Sequence, residues 1–431
     1  MKFSQIGQFA LASAVSAALV LGITACGQSN TIDYIYVASA GASPGIYAFA
    51  ADGESGALSQ IVGSPFATGN NPIGLVRAVR SDGTYLYALN HDDNTVSIFG
   101  SDSDGKLTSV GKYALQSGVY PNGLTVSPDQ STVYVVESYG RNAAGDLYGP
   151  ANPGTGALVQ LSIGAKGALS SEKSYATCNN PVAVNVLANG SAVYVVDDPS
   201  GQLTTLIDTM ASVNTVATGN ATVVYPAAGA CNGGSGAQGQ INTYLVGSGN
   251  ALTPGSGSPF AAGVAPNAIA SDPTARFLYI TDFRQSLMLA YAVQNNGAIQ
   301  PLTTSTEATG TLPAAITVDP RGRYIYVANY GANTMSGYAI NQTNGEPSGL
   351  SGTSSSSATD PGPASVVVED SIGRYVYTAN FVGSSISSFY LDPNAGTTRA
   401  GQNSPFPGVS RATAIASVKH GDHTIQVNAL Y

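Results

Sequence analysis

Charged side chains are scarce in this sequence, since Asp, Glu, Lys and Arg together make up only 10% of its 431 residues. The 16 Lys and Arg residues are scattered along the chain, and the formal net charge is −9. Nucleic-acid binding needs a clustered basic surface, so the charge pattern argues against partners of that class. By contrast, Gly is abundant with 51 residues and Pro with 23. This composition predicts many short strands and tight turns in place of long helices.

Long hydrophobic runs are also lacking, apart from one near the N-terminus. Residues 9–23 are apolar and uncharged, but the run is too short to span a bilayer comfortably. It leads into residues 23–26, which resemble a bacterial lipobox. We therefore predict that residues 1–25 are a lipoprotein signal peptide and that Cys26 carries a lipid, followed by a short linker to residue 31. An ordinary secretory signal with a chance cysteine is the alternative.

A lipid on Cys26 would bind the protein to a membrane of the cell envelope. The next residue is Gly27, in place of the aspartate that tends to hold lipoproteins at the inner membrane. We therefore expect an exported protein in an outer-membrane or periplasm-facing location.

Cysteine and histidine are both rare, with three residues of each. Apart from Cys26, the chain contains only Cys178 and Cys231, and a pair of thiols in an oxidising compartment is expected to form a disulfide. Two free buried thiols are the alternative. With so few histidines and with oxidised thiols, a zinc site is not expected. We predict neither a metal nor a cofactor.

What the sequence does contain is a repeat, in which a proline opens an apolar strand that is followed by a polar turn and a tyrosine-rich strand. The opening prolines are Pro72, Pro121, Pro181, Pro266, Pro313 and Pro363. A seventh copy at 412–418 lacks the proline. A period of about 48 residues with four strand signals is typical of a propeller blade. We predict an all-β fold, a seven-bladed β-propeller with four-stranded antiparallel blades, over residues 32–420.

Two blades exceed this period, and the ends of the array predict how the ring closes. The additional residues form insertions at about 139–155 and 199–238. The array begins with a second-strand sequence at Tyr34, with no innermost strand before it. We expect the strand at 412–418 to pair there, closing the ring and leaving no long open sheet edge. Residues 421–431 form a tail that the repeat does not place.

The repeat resembles that of the lactonase-like propellers, the group that includes 6-phosphogluconolactonase and carboxymuconate cyclase relatives. The second-strand sequence at 326–329, Tyr-Val-Ala-Asn, also resembles the broader YVTN-type propeller repeat. The resemblance covers about residues 32–420. It implies the fold and, for activity, hydrolysis of a lactone, although the matching residues are structural ones.

A polar residue ends the second strand of every blade, and a propeller places these ends on one face. They are Ser39, Asn90, Glu137, Asp197, Asp282, Asn329 and Asn380. We predict that this face binds a ligand, with Arg141 and Arg284 in the neighbouring loops. A polar ligand such as a sugar or a hard cation would suit the cluster of carboxylates. Ordinary turn formation by Asn and Asp is the alternative.

Two functions remain open from the sequence. In the first, His91 or Glu137 is the general base that activates water against a lactone, and Arg141 or Arg284 stabilises the oxyanion. In the second, the propeller is a non-catalytic scaffold that binds a glycan or an envelope protein through the loops of its third to fifth blades. Under either function we expect a monomer that binds a small sugar-like ligand or an envelope protein.

Overall fold

The computed structural model describes residues 30–142, 144–149, 154–199, 231, 238–350 and 356–421. These residues form seven antiparallel sheets arranged as the blades of a propeller, which confirms the predicted fold. We number the blades 1 to 7 in chain order. Within each blade we letter the strands A to D from the axis outward.

Strands A and B form the inner half of each blade, and the A strands of neighbouring blades contact one another around the axis. In blades 1 to 7, strand A spans Ala412–Lys419, Pro72–Arg80, Val119–Val126, Pro181–Val186, Pro266–Ser271, Pro313–Val318 and Pro363–Val368. Strand B spans Thr31–Ser39, Gly83–Asn90, Thr132–Tyr139, Ala192–Asp197, Phe277–Asp282, Tyr324–Asn329 and Tyr375–Asn380.

Strands C and D form the outer half, and strand D is broken into two pieces in blades 1, 4, 6 and 7. Strand C spans Gly45–Asp52, Thr95–Ser101, Ala157–Ile163, Gln240–Val246, Leu287–Val293, Thr334–Ile340 and Ser385–Leu391. Strand D comprises Leu58–Gln60 with Phe66–Ala67, Leu107–Ala114, Leu169–Ala176, Leu252–Pro254 with Phe260–Ala261, Ile299–Ala308, Pro347–Gly349 with Ser356–Ala358, and Thr398–Ala400 with Phe406–Pro407. Short 3₁₀ turns lie at Ala165–Gly167 and Ser248–Asn250.

The ring closes as the repeat predicts. Strand B of blade 1 pairs antiparallel with the last strand of the propeller, from Asp33 opposite Lys419 to Ser39 opposite Ala412. Asp33 also joins this blade to blade 7, because its Oδ2 accepts hydrogen bonds from the Ser417 hydroxyl and from the backbone N–H of Asp370, both at 2.7 Å. The two ends of the chain therefore share the sheet of blade 1, and Asp33 joins that blade to blade 7.

A buried tyrosine in strand B connects most blades to the next one. It occurs in all seven as Tyr36, Tyr87, Tyr134, Tyr194, Tyr279, Tyr326 and Tyr377. In six blades its hydroxyl donates, over 2.7–3.2 Å, to the carbonyl of a glycine in the C–D turn of the following blade; the acceptors are Gly105, Gly167, Gly297, Gly345, Gly396 and Gly56. Blade 3 differs, because Tyr134 contacts Gln160 of its own blade and Gln160 reaches blade 4 at Asn250.

The acceptor position needs glycine for two reasons, as Gly396 shows. Its φ is +71°, a left-handed conformation that side chains rarely adopt. A Cβ at Gly396 would also overlap the ring of Tyr324, which packs directly against it. The turn therefore presents its carbonyl to Tyr326 only because no side chain intervenes.

The predicted disulfide is confirmed, since Cys178 and Cys231 are bonded with their Cα atoms 5.2 Å apart. Cys178 lies in the connection that enters blade 4. The predicted signal peptide, the lipidated Cys26, the tail beyond residue 421 and most of the insertion at 199–238 lie outside the described residues. In the part of the chain that is described, no helix is long and apolar enough to cross a membrane.

We expect Tyr326→Phe to lower the free energy of unfolding by about 1 kcal/mol, because it removes the hydrogen bond to Gly396 but keeps the ring. Gly396→Ala should cost more, because it adds backbone strain and steric overlap. Urea denaturation of the purified protein measures both. Tyr47→Phe is the matched control, since the Tyr47 hydroxyl has no hydrogen bond within the described ranges. Equal stability of the Tyr326 and Tyr47 variants would contradict the role of the interblade bond.

Candidate functional site

One face of the propeller carries the B–C and D–A connections, and we call it the upper face. Most of the polar residues that end strand B there are buried inside the blades. Asn329 donates to the hydroxyls of Thr334 and Ser336 at 3.1 and 2.9 Å, and its oxygen accepts from the N–H of Gly310 at 3.1 Å. Equivalent donations to two hydroxyls of strand C are made by Asn90 and Asn380. A ligand-binding role for these asparagines stays a prediction that their placement does not favour.

Asp282 also stabilises the neighbouring loops by hydrogen bonds, with a carboxylate in place of the asparagine amide. Its Oδ1 accepts from the backbone N–H groups of Arg284 and Gln285 at 3.1 and 2.9 Å, and its Oδ2 accepts from that of Val264 at 2.6 Å. These bonds fix the B–C turn and the connection that enters blade 5. Asp282 is fully buried, so its predicted contact with a ligand also lacks support from its position.

Glu137 occupies the equivalent position of blade 3 but has no such partners. Both carboxyl oxygens are buried without a hydrogen bond, below the backbone of Gly118. Burial, together with the negative charge of Glu172, raises the pKa of Glu137 to about 8, and the nearby Arg141 only partly opposes this. The side chain is therefore mostly protonated at neutral pH.

Asp197 is the corresponding residue of blade 4 and lies beside the disulfide. Its Oδ2 accepts from the side-chain amide of Asn242 at 2.6 Å, whereas its Oδ1 is buried without a partner. Burial raises the pKa of Asp197 to about 8, although hydrogen bonds from Asn242, Thr177 and Cys178 oppose the shift. Glu137 and Asp197 are therefore two buried acids, in the two blades that carry the insertions, whose raised pKa values keep them mostly uncharged.

Arg141 is held by its own loop and by the connection that enters blade 3. Arg141 donates from Nε and Nη2 to the carbonyl of Gln116 at 3.1 and 3.0 Å, and from Nη1 to that of Gly145 at 2.9 Å. These bonds secure the described part of the blade 3 insertion. Arg284 is half-buried in the B–C turn of blade 5. Oxyanion stabilisation by either arginine stays a prediction.

His91 is held in a chain of hydrogen bonds at the inner end of the B–C turn of blade 2. Its Nδ1 lies 2.8 Å from Oδ1 of Asp92, and the same oxygen accepts from the side chain of Asn71 at 3.1 Å. The backbone N–H of His91 donates to the carbonyl of Asn71 at 3.0 Å. When Nδ1 donates to the Asp92 carboxylate, Nε2 is the nitrogen that can accept a proton.

Two tyrosines extend from His91 across to blade 3. The ring of Tyr120 lies 5.6 Å from that of His91, and the ring of Tyr139 lies a further 6.0 Å from Tyr120, measured between centroids. Tyr120 immediately precedes Pro121, is 43% exposed and has a φ of +58°. A left-handed conformation is costly for a bulky side chain, and strained residues of this kind cluster at functional sites.

Arg411, which the sequence reasoning did not select, lies at the start of blade 1 on the other side of Asn71, and its guanidinium packs on blade 7. It precedes strand A of blade 1, and the hydroxyl of Thr413 donates to the Pro72 carbonyl at 2.5 Å, which brings the two strand starts together. Its guanidinium carbon lies 5.0 Å from the centre of the Phe381 ring. Its Nε is buried without a hydrogen-bond partner in the described structure. We call His91, Asp92 and Tyr120 the upper-rim site.

The upper-rim site combines an oriented imidazole and an accessible phenol. These groups can accept a proton and stabilise negative charge on a bound ligand. Among the residues with described positions, no group of three or more His, Cys, Asp and Glu side chains could hold a metal ion.

We expect Glu137→Gln to stabilise the protein at high pH but not at low pH. The pKa of Glu137 rises from 4.5 to about 8 on folding, so the folded state holds the proton more tightly and loses stability as pH rises between these values. A glutamine at this position does not ionise, so the variant does not lose stability in this pH range. Urea denaturation at several pH values should show a stability gap of several kcal/mol that opens from about pH 5 and is complete above about pH 8.

Asp282→Asn is the matched control for this experiment. It should lower stability, because an amide offers one oxygen where the carboxylate accepts four backbone hydrogen bonds. A stability gap for Glu137→Gln that does not change with pH would contradict the raised pKa.

Comparison with known proteins identifies what this architecture is similar to. The sequence profile of the family described as "Lactonase, 7-bladed beta-propeller" matches residues 33–145 and 226–365. No curated protein sequence matches the chain significantly.

Solved structures share the fold over nearly the whole chain. A candidate 6-phosphogluconolactonase of Bacteroides fragilis has a TM-score of 0.67 at 18% identity, covering 91% of this chain and 99% of its own. The periplasmic gluconolactonase of Pseudomonas aeruginosa has a TM-score of 0.67 at 16% identity, covering 91% of this chain and 100% of its own. At these identities the similarity establishes the fold alone.

Proposed function

The chain belongs to the lactonase family of seven-bladed β-propellers, and from this we propose that it hydrolyses a lactone at the upper-rim site. The observation that carries the proposal is the hydrogen-bonded chain from Asn71 through Asp92 to His91. These bonds orient the imidazole and set its tautomer beside the ring of Tyr120. That ring is exposed, so a ligand can reach the rim there. Family membership alone would not select these residues.

Hydrolysis at this site needs one base and one hydrogen-bond donor for the oxyanion. His91 Nε2 takes a proton from water as the water oxygen adds to the lactone carbonyl carbon. The ring C–O bond then breaks, and the protonated imidazole returns the proton to the leaving ring oxygen. The hydroxyl of Tyr120, whose ring lies beside His91, is the donor that can stabilise the oxyanion.

His91 suits the role of base better than Glu137 does. Burial keeps most Glu137 carboxyl groups protonated at pH 7, so few can accept a proton. Glu137 is fully buried below Gly118, and His91, although only 5% exposed, lies beside the exposed ring of Tyr120. A supporting role for Glu137 below the site remains compatible with this mechanism.

The alternative is a scaffold that binds a glycan or an envelope protein without catalysis. Nothing in the described upper face favours it over hydrolysis, because an oriented His–Asp pair has no evident use in passive binding. The proposed location is the cell envelope, with a lipid on Cys26. The periplasmic location in the name of the Pseudomonas aeruginosa structure is compatible with export.

We expect the purified protein to hydrolyse at least one member of a panel of sugar and aliphatic lactones. Asp92→Asn should lower kcat by about 10²–10⁴-fold, because it no longer fixes the His91 tautomer, and His91→Gln should lower it by at least as much. Asp93→Asn is the matched control, since Asp93 accepts from Asn70 in the same turn and does not contact His91.

Two results would contradict the proposal. Equal losses in the Asp92 and Asp93 variants would point to a loop effect in place of catalysis. No hydrolysis above the buffer rate across the panel would leave the family similarity as one of fold only.

For the anchor, we expect wild-type protein expressed in a Gram-negative host to incorporate labelled palmitate and to sediment with membranes. Cys26→Ser should abolish both, because the thiol is the only acceptor at the lipobox. Ser29→Ala, three residues away, is the control for altered export. Unchanged labelling of the Cys26 variant would show that the lipid, if present, is elsewhere.

A further inference from the structure

A pocket separate from the upper-rim site lies between the outer halves of blades 4 and 5. It has a volume of about 270 Å³ and opens toward the upper face. One wall is strand C of blade 5, which presents Leu287, Leu289 and Tyr291 on one side. The other wall is the end of strand D of blade 4, which is short because that strand is broken in two.

An irregularity in blade 5 shapes the pocket. Strands C and D of this blade shift register between the pairs Leu289–Thr306 and Tyr291–Pro301, so residues 302–305 bow out of the sheet. Bulges of this kind re-aim side chains and occur next to binding sites. Here the bulge places the hydroxyl-bearing end of strand D beside the apolar side chains of strand C.

The lining of the pocket is uncharged. Leucine and tyrosine side chains form an apolar floor, and Gln285 and Thr306 add an amide and a hydroxyl at the edge. The Tyr291 hydroxyl donates to the Ala261 carbonyl at 3.0 Å, so this ring is held in place. No carboxylate, imidazole or cationic side chain is among the described residues that line it.

The second observation is an unsatisfied acceptor in the wall. Gln238 lines the pocket, is only 2% exposed, and its Oε1 has no hydrogen-bond partner. A buried carbonyl oxygen without a donor destabilises the folded protein, so its presence needs an explanation. A ligand hydroxyl, reached by a small rotation of the carboxamide, would supply the missing donor.

We propose that this pocket binds one unit of a neutral sugar. A pyranose ring combines an apolar face, which suits the leucines and the tyrosine, with hydroxyls that can donate to Gln238 and exchange hydrogen bonds with Gln285 and Thr306. The uncharged lining leaves an anionic sugar without a counter-charge. The volume is slightly below the range of drug-sized pockets, which suits a single ring.

The experiment is a titration of the purified protein, monitored by saturation-transfer NMR. The probes are D-glucose, D-galactose, D-mannose and N-acetyl-D-glucosamine, and D-glucuronate is the charged comparison. At least one neutral sugar should bind saturably and more tightly than D-glucuronate. Gln238→Leu should weaken this binding about tenfold, the effect of one lost hydrogen bond, while leaving the melting temperature equal or higher. Thr306→Val, on the exposed edge, should also weaken it.

Two controls separate this pocket from other sites. Gln402→Leu removes an exposed glutamine from the distant turn of blade 7 and should leave binding unchanged. His91→Gln should also leave it unchanged, so a failure of the proposed lactone hydrolysis and a failure of this proposal are distinguishable. Absence of saturable binding by all four neutral sugars, or full retention of binding in the Gln238 variant, would overturn the proposal.

Discussion

The hydrogen bond from a strand-B tyrosine to a turn glycine of the following blade is the interaction on which the propeller depends. A single blade is a small sheet that cannot cover both of its faces, so each blade is stable only when packed between two others. The hydroxyl–carbonyl bond sets the position of one blade on the next. The glycine lets a second aromatic ring of the same strand B approach closely, as Tyr324 approaches Gly396. The shared sheet and Asp33 complete the same ring at its ends.

The upper face is built on this frame, and its polar residues divide into two groups by what they bond. Asparagine at the end of strand B supplies two donors and one acceptor to its own blade, which stabilises the fold. Glu137 at the same position receives no hydrogen bond and is kept neutral by burial. A raised pKa alone does not identify a site, because burial and the charge of Asp33 also raise the pKa of Glu369 to about 8 at the structural seam on the opposite face.

The architecture could be predicted from the sequence because strand alternation and the spacing of Pro72 to Pro363 are local patterns that repeat. The ring closure followed from counting strands. The roles of individual polar residues could not be predicted, since the strand-end asparagines of a ligand-binding face and of a structural one look alike. Arg411 was missed because its repeat copy lacks the proline that marks the others. Comparing the residue before strand A in all seven copies would have revealed it as the only charged one.

That position also shows why the upper-rim site lies where it does. The residue before the strand-opening proline, or before Ala412 in the copy that lacks it, has a positive φ in six of the blades. These residues are Asn71, Tyr120, Asn180, Leu312, Gly362 and Arg411. Glycine and asparagine adopt this conformation at little cost, whereas Tyr, Leu and Arg do so only when the surrounding structure compensates. Two of the three costly residues, Tyr120 and Arg411, stand on either side of the asparagine that holds His91 and Asp92. The costly tyrosine beside His91 fits the role that we propose for it, whereas Leu312 in blade 6 shows that the surrounding structure can also compensate such a residue elsewhere.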